Sequence, residues 1–228
     1  MDAVKNYMRL LRGSAEEIQA AFREVLICVT GFFREPESFA ALERDVLPRL
    51  FSQRTACAQD AVVRIWVVGC STGEEAYSLA MLCAEQGGRH EIFATDLNAA
   101  AIEKARAGIY PKSIAENVSA ERLRRFFVEK DDHYEVCAEL KKVCQFARHD
   151  ALSEPPIAGA HLISCRNLLI YLDETMQDRL VPTLHRALLP AGLLWLGNTE
   201  HIAAYRELFT LEDQRHKVYA RRAKVDLR

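Results

Sequence analysis

The sequence predicts an α/β domain wound on both sides of a mostly parallel sheet. Apolar runs of strand length alternate with helix-length segments, and the first of these strands enters its helix through a turn rich in Gly, Ser and Thr. The size fits. With 228 residues, half of them hydrophobic, the chain can bury the core of one such domain and a small appendage.

The elements follow in order. Residues 2–28 carry Val4, Met8, Leu11, Ile18, Phe22, Val25 and Leu26 at helical spacing, interrupted at Arg12-Gly13-Ser14, with Ser14 and Glu17 as a capping box. Thr30 to Pro36 (TGFFREP) is a loop, and a helix runs from Glu37 to Phe51. Strand 64–68 leads to helix 74–86, strand 91–95 to helix 98–107, and strand 160–164 to helix 174–188 and strand 193–197. Leu208–Leu211 and Lys217–Ala220 form an antiparallel hairpin at the end of the sheet. Between helix 98–107 and strand 160–164, Ser119–Phe127 is helical, and Tyr134–Cys137 is expected to pair with Val143–Ala147 as a small β-subdomain inserted at about 128–147. This divides the chain into a helical segment at 1–52 and a Rossmann-like domain at 53–228.

Composition excludes several classes. A net charge of −2 argues against a nucleic-acid binder working through a basic surface. No apolar run reaches membrane-spanning length, and MDAVKNYMRLLRG lacks the apolar core of a signal peptide. The seven cysteines are scattered, without a C-x-x-C pair, which fits reduced thiols in a cytoplasmic protein; no metal site is expected.

The turn Gly69-Cys70-Ser71-Thr72-Gly73-Glu74-Glu75 is the chemical centre. A strand, glycine turn and helix usually bind phosphate at the helix N-terminus. Here two carboxylates open the helix, the third glycine of a dinucleotide fingerprint is missing, and so is a P-loop lysine. Asp96 ends the second strand, where an acid holds ribose hydroxyls or else caps the next helix. S-Adenosylmethionine satisfies these constraints: it has a ribose, an ammonium and a sulfonium, and no phosphate. Glu74 and Glu75 either attract that charge or complement the helix dipole. Cys165-Arg166-Asn167 lies at the ligand edge of the sheet, where Arg166 needs a partner, either ligand or loop carbonyls, and Tyr171 follows within a turn. Residue types alone do not choose a role for Thr30 or Arg34.

VTGFFREPESF, VVGCSTGEEAYSLAM, IFATDL, KARAGIYP, SCRNLLIYL and GNTEHI occur in this order with suitable spacing. Together they resemble the CheR-type chemoreceptor methyltransferases, most closely the form found in CheB–CheR fusion proteins. The resemblance implies a class I methyltransferase sheet and transfer of methyl from S-adenosylmethionine to receptor glutamates, leaving S-adenosylhomocysteine. It implies cofactor contacts at Thr30, Arg34, Gly69, Glu75, Asp96, Asp150, Ala151, Cys165 and Arg166, and active-site roles for Arg34, Arg166 and Tyr171. The partner would be the cytoplasmic domain of a chemoreceptor or similar signalling protein. Asp150 replaces a frequent asparagine, Cys28 stands in place of the asparagine of N-x-T, and residues 1–28 are shorter than the family's usual helical domain, leaving Lys5, Arg9 and Arg12 on one helix face. A sensory module that binds the cofactor without transferring methyl, and a small-molecule methyltransferase, remain the alternatives.

Overall fold

A computed structural model describes residues 30–55 and 62–223. The expected helix over 2–28 with its capping box, the basic face and Cys28 lie outside the described residues.

Seven strands form the main sheet: β1 (Val63–Val68), β2 (His90–Asp96), β6 (Cys144–Arg148), β7 (Ala160–Cys165), β8 (Leu188–Leu196), β9 (Phe209–Asp213) and β10 (Val218–Arg221). Their spatial order is β6-β2-β1-β7-β8-β10-β9. The first five are mutually parallel; β10 runs antiparallel to both β8 and β9. The order reverses direction at β1, so a crevice opens where the chain leaves β1 and β7, at their carboxyl ends.

Helices cover both faces. α1 (Pro36–Ala41) passes through a π-helical turn at Leu42–Val46 into α2 (Leu47–Thr55), which the sequence periodicity reads as one continuous helix. α3 (Glu74–Glu85) and α4 (Ala99–Ala107) follow β1 and β2, and α7 (Glu174–Ala187) follows β7. The central strands feed two cores by alternation. Ile65, Val67, Leu193 and Trp195 join Phe39, Leu42 and Leu79 on one side; Trp66, Val68, Leu194 and Leu196 join Leu180 and Leu184 on the other. Burial on both faces is why these strands are continuously apolar.

The inserted element departs from expectation. β3 (Ile109–Pro111), β4 (Phe127–Glu129) and β5 (His133–Val136) form a separate antiparallel sheet in the order β3-β5-β4. Residues 134–137 therefore do not pair with 143–147. α6 (Ala138–Val143) carries the chain back, and β6 pairs with β2 in the main sheet. The small sheet thus lies within 109–136 rather than 128–147. Alternating burial along β6, with Cys144 and Phe146 inside, marks a strand but does not name its partner. α5 (Ala120–Phe126) forms as expected, capped by the Ser119 hydroxyl. The small sheet is fastened to the loop before α1 by Phe32, whose ring meets Tyr110 at 4.8 Å and Phe127 at 5.6 Å, both edge to face.

Candidate active site

The glycine turn is built on the end of β2. Gly69 N–H and Cys70 N–H both donate to the Thr95 carbonyl, at 2.8 and 2.9 Å. Ser71 N–H donates to one Asp96 carboxylate oxygen and Asn98 N–H to the other, each at 2.8 Å. The cap of α4 belongs instead to Asn98, whose side-chain oxygen accepts from Ala100 and Ala101 N–H. Asp96 is thus a clamp that fixes the turn against β2 and keeps acceptor capacity at the crevice.

The turn has a left-handed residue at Gly69, at Ser71 and at Gly73, where φ is 96°. A Cβ on Gly73 would stand 2.8 Å from the Ala105 Cβ and 3.1 Å from the Tyr110 hydroxyl. Gly73→Ala should therefore destabilise the fold by about 2 kcal/mol through strain and overpacking. Chemical denaturation checks this, and a loss below about 0.5 kcal/mol would show that the turn can relax.

The two glutamates do different work. Glu74 accepts from the Thr72 hydroxyl at 2.7 Å, with Thr30 a further donor, and burial pushes its carboxyl above the usual range. Tyr110 hydroxyl donates to the Thr72 carbonyl at 2.7 Å, tying the small sheet to the same turn. Glu75 points toward β7, where it accepts from Ser164 hydroxyl at 2.6 Å and from Arg166 at 2.9 Å.

Arg166 is the hub. Its side chain is 0% exposed. One terminal nitrogen donates to Glu75; the other donates to the Arg34 carbonyl and to Glu35, each at 2.9 Å. The guanidinium stacks 4.1 Å from the Trp195 ring centre and 5.1 Å from that of Phe39. Loop carbonyl and carboxylates occupy both terminal nitrogens, while Nε is buried without a hydrogen-bond partner, so the arginine acts on the crevice through Glu75 and Glu35. Burial alone would raise the Glu35 carboxyl, but the Arg166 charge and donors from Asn167, Arg166 and Asn198 outweigh it and hold it below the usual value.

Not every expected residue converges equally. Thr30, Gly69, Glu75, Asp96, Cys165 and Arg166 meet around the turn and the ends of β1, β2 and β7. Cys165 is fully buried, and its thiol is pushed well up by that burial. Asp150 follows β6, next to Asp96: His149 N–H donates to the Asp96 carbonyl. Its carboxylate accepts from Ser153 hydroxyl and Leu152 N–H, donors that hold it below the usual range, and so shapes the turn through Ala151. Tyr171 ends a 3₁₀ turn at Leu169–Tyr171 and is 57% exposed.

Three residues escape sequence reasoning. Glu35, Ser164 and Glu200 are members of the quoted TGFFRE, SCRN and GNTEHI motifs, and those motifs are the signal that could have found them. A groove of ≈ 470 Å³ lies elsewhere, between α1–α2 and the β9–β10 turn. Its two lining arginines are ion-paired, Arg49 with Glu212 and Arg215 with Glu37, and none of the site residues lines it.

The donor set fits S-adenosylmethionine. Two carboxylates, Asp96 and Glu75, flank the turn, and the Ser71 hydroxyl is buried beside them without a hydrogen-bond partner. That is chemistry for hydroxyls and cationic groups, not for pyrophosphate.

Comparison with known proteins agrees. The family model "CheR methyltransferase, SAM binding domain" matches residues 28–218. A chemotaxis protein methyltransferase of Listeria monocytogenes is 37% identical over 78% of this chain and 67% of its own length. That of Escherichia coli K12 is 32% identical over 94% of this chain and 75% of its own. An uncharacterized 104.1 kDa protein of Rhodobacter capsulatus is 38% identical over 94% of this chain, which spans only 23% of that longer protein. Among solved structures, the DszA carbon methyltransferase superposes with a TM-score of 0.50 over 73% of this chain and 36% of its own, at 13% identity, a likeness of fold alone.

Proposed function

The chain belongs to the CheR methyltransferase family, and from that premise we propose that it transfers methyl from S-adenosylmethionine to glutamate side chains on the cytoplasmic domain of a chemoreceptor or related signalling protein. Among the described residues no helix is long and apolar enough to cross a membrane, which suits a cytoplasmic enzyme. The observation that carries the reading is the Gly69–Gly73 turn pinned on Asp96, with Glu75 fixed behind it by Arg166.

When bound, the cofactor would supply an electrophilic methyl on a sulfonium, to which a glutamate carboxylate would bond in line as the S–CH3 bond breaks and S-adenosylhomocysteine leaves. That nucleophile is ionised at neutral pH, so the chain needs no general base. Asp96 and Ser71 would take hydroxyls, and Glu75 positive charge. Arg34 and Tyr171 orient the incoming carboxylate, and Arg166 holds Glu75 and the Arg34 loop in register. Catalysis then rests on alignment, with desolvation of opposite charges favouring their mutual neutralisation.

Calorimetry with S-adenosylmethionine and S-adenosylhomocysteine, followed by a radiolabelled methyl assay on receptor-containing membranes, tests the reading. Binding without transfer would favour a sensory module instead. Arg34→Ala and Tyr171→Phe should each lower the transfer rate by about 10- to 100-fold while leaving the melting temperature nearly unchanged. Full activity in both would remove these residues from the mechanism.

A further inference from the structure

Glu200 sits in the loop between β8 and β9, 3% exposed, with no part assigned to it so far. One carboxylate oxygen accepts from Asn167 N–H at 2.8 Å and Gly197 N–H at 2.7 Å. The other accepts from Leu169 N–H at 2.7 Å, and Ile170 N–H is a further donor. Its hydrogen-bond partners are thus main-chain amides, three of them in the short segment that joins Arg166 to Tyr171.

That segment does not hold itself. Asn167 is left-handed, with φ of 56°, and only a single 3₁₀ turn follows it. The Asn167 and Leu169 amides end on the carboxylate rather than on a helix or a strand, so Glu200 replaces the secondary structure this segment lacks. The seat is tightly built: a Cβ on Gly197 would stand 2.7 Å from the Asn167 side-chain nitrogen Nδ2, 2.9 Å from a Glu200 carboxylate oxygen and 3.0 Å from the Asn167 main-chain nitrogen. Tyr171 N–H closes the turn on the Leu168 carbonyl, so the place of its ring follows from the path of residues 167–170.

We propose that Glu200 is a positioning residue for methyl transfer, gathering the amides of Asn167, Leu169 and Ile170 so that Tyr171 is held at the mouth of the crevice. The proposal rests on Tyr171 acting in the transfer reaction proposed above. Burial pushes the Glu200 carboxyl above its ordinary value, and the main-chain amides oppose that by favouring its ionised form. Misplacement of a reacting neighbour by about 1 Å can cost about 100-fold in rate.

The test uses Glu200→Gln, which sets an NH2 donor against amide donors, and Glu200→Asp, which keeps the charge one methylene short. Glu200→Gln should lower kcat for receptor methylation by about 10- to 100-fold, with Glu200→Asp intermediate, while the S-adenosylmethionine Kd by calorimetry stays within about threefold. Hydrogen exchange at the 167–170 amides should quicken in both. The decisive readout is the double variant with Tyr171→Phe: a residue acting through Tyr171 adds little further loss in that background. Equal losses in both backgrounds, a parallel collapse of cofactor affinity, or faster exchange with an unchanged kcat would each overturn the proposal. If Glu200→Gln does not fold, the same comparison made with Glu200→Asp decides it. An inactive wild type would overturn the transferase reading and this proposal with it, whereas an active wild type with insensitive variants would overturn this proposal alone.

Discussion

Replacing Arg166 by leucine should lower folding stability by about 3 kcal/mol, a fall in melting temperature of about 6–12 °C for a domain of this size. The loss comes from what is left behind. Glu75 and Glu35, whose side chains are only 15% and 20% exposed, lose their shared cation. The Arg34 carbonyl loses a donor, and Phe39 and Trp195 lose the guanidinium between them. Arg166→Lys should rescue little, because a single ammonium does not span Glu75, Glu35 and the Arg34 carbonyl in the planar geometry the guanidinium provides. The pH dependence carries a sign. Glu35 in the wild type lies below its ordinary 4.5, so its contribution is present above that pH and is lost as pH falls through the folded value. Without Arg166 the burial that raises Glu35 has no opposing cation, and the sign reverses. The gap between wild type and variant should therefore be widest above pH 4.5 and narrow below it. Thermal melts followed by circular dichroism at several pH values check this. A melting temperature within about 2 °C of wild type at neutral pH would sink the account of Arg166 as the hub.

Asp96→Ala should weaken S-adenosylmethionine binding on the order of 100-fold. Two losses combine. The acceptor offered to ribose hydroxyls disappears, and the Ser71 and Asn98 amides, each bonded to that carboxylate at 2.8 Å, are released. The turn then keeps its hold on Thr95 but loses the bond that sets Ser71. Glu74→Gln is the contrast, since Glu74 is occupied by the Thr72 hydroxyl and is assigned to the helix start; its effect should stay within about threefold. Isothermal calorimetry on both variants separates the roles. Equal affinities for Asp96→Ala and wild type would move the ribose site elsewhere, and a large loss in Glu74→Gln would make Glu74 a ligand residue.

Much of the site was legible because its signals are local. The apolar run of β1, the glycine turn and the acid ending β2 all lie in segments of a few residues, and strand and helix periods read them directly. Assigning two tasks to adjacent glutamates needed the fold. Nothing in GEE distinguishes the carboxylate that meets a nearby threonine hydroxyl from the one that meets the arginine just after β7. Of the two readings left open for Asp96, the helix cap was decided in space as well: Asn98 takes the cap and leaves Asp96 to the turn.

The sequence by itself determined the alternation of elements, the place of the crevice along the chain, the closing hairpin and the family. Each of these is written in periodicity or in short motifs. Tertiary structure alone decided that β6 joins β2 instead of β5, that Arg166 is wholly enclosed, and that Glu200 gathers the amides before Tyr171. Pairing partner and burial depend on contacts between residues far apart in the chain, as between Arg166 and Arg34, 132 positions away. A periodic pattern specifies which face of an element is apolar, and only the packed fold specifies what that face meets.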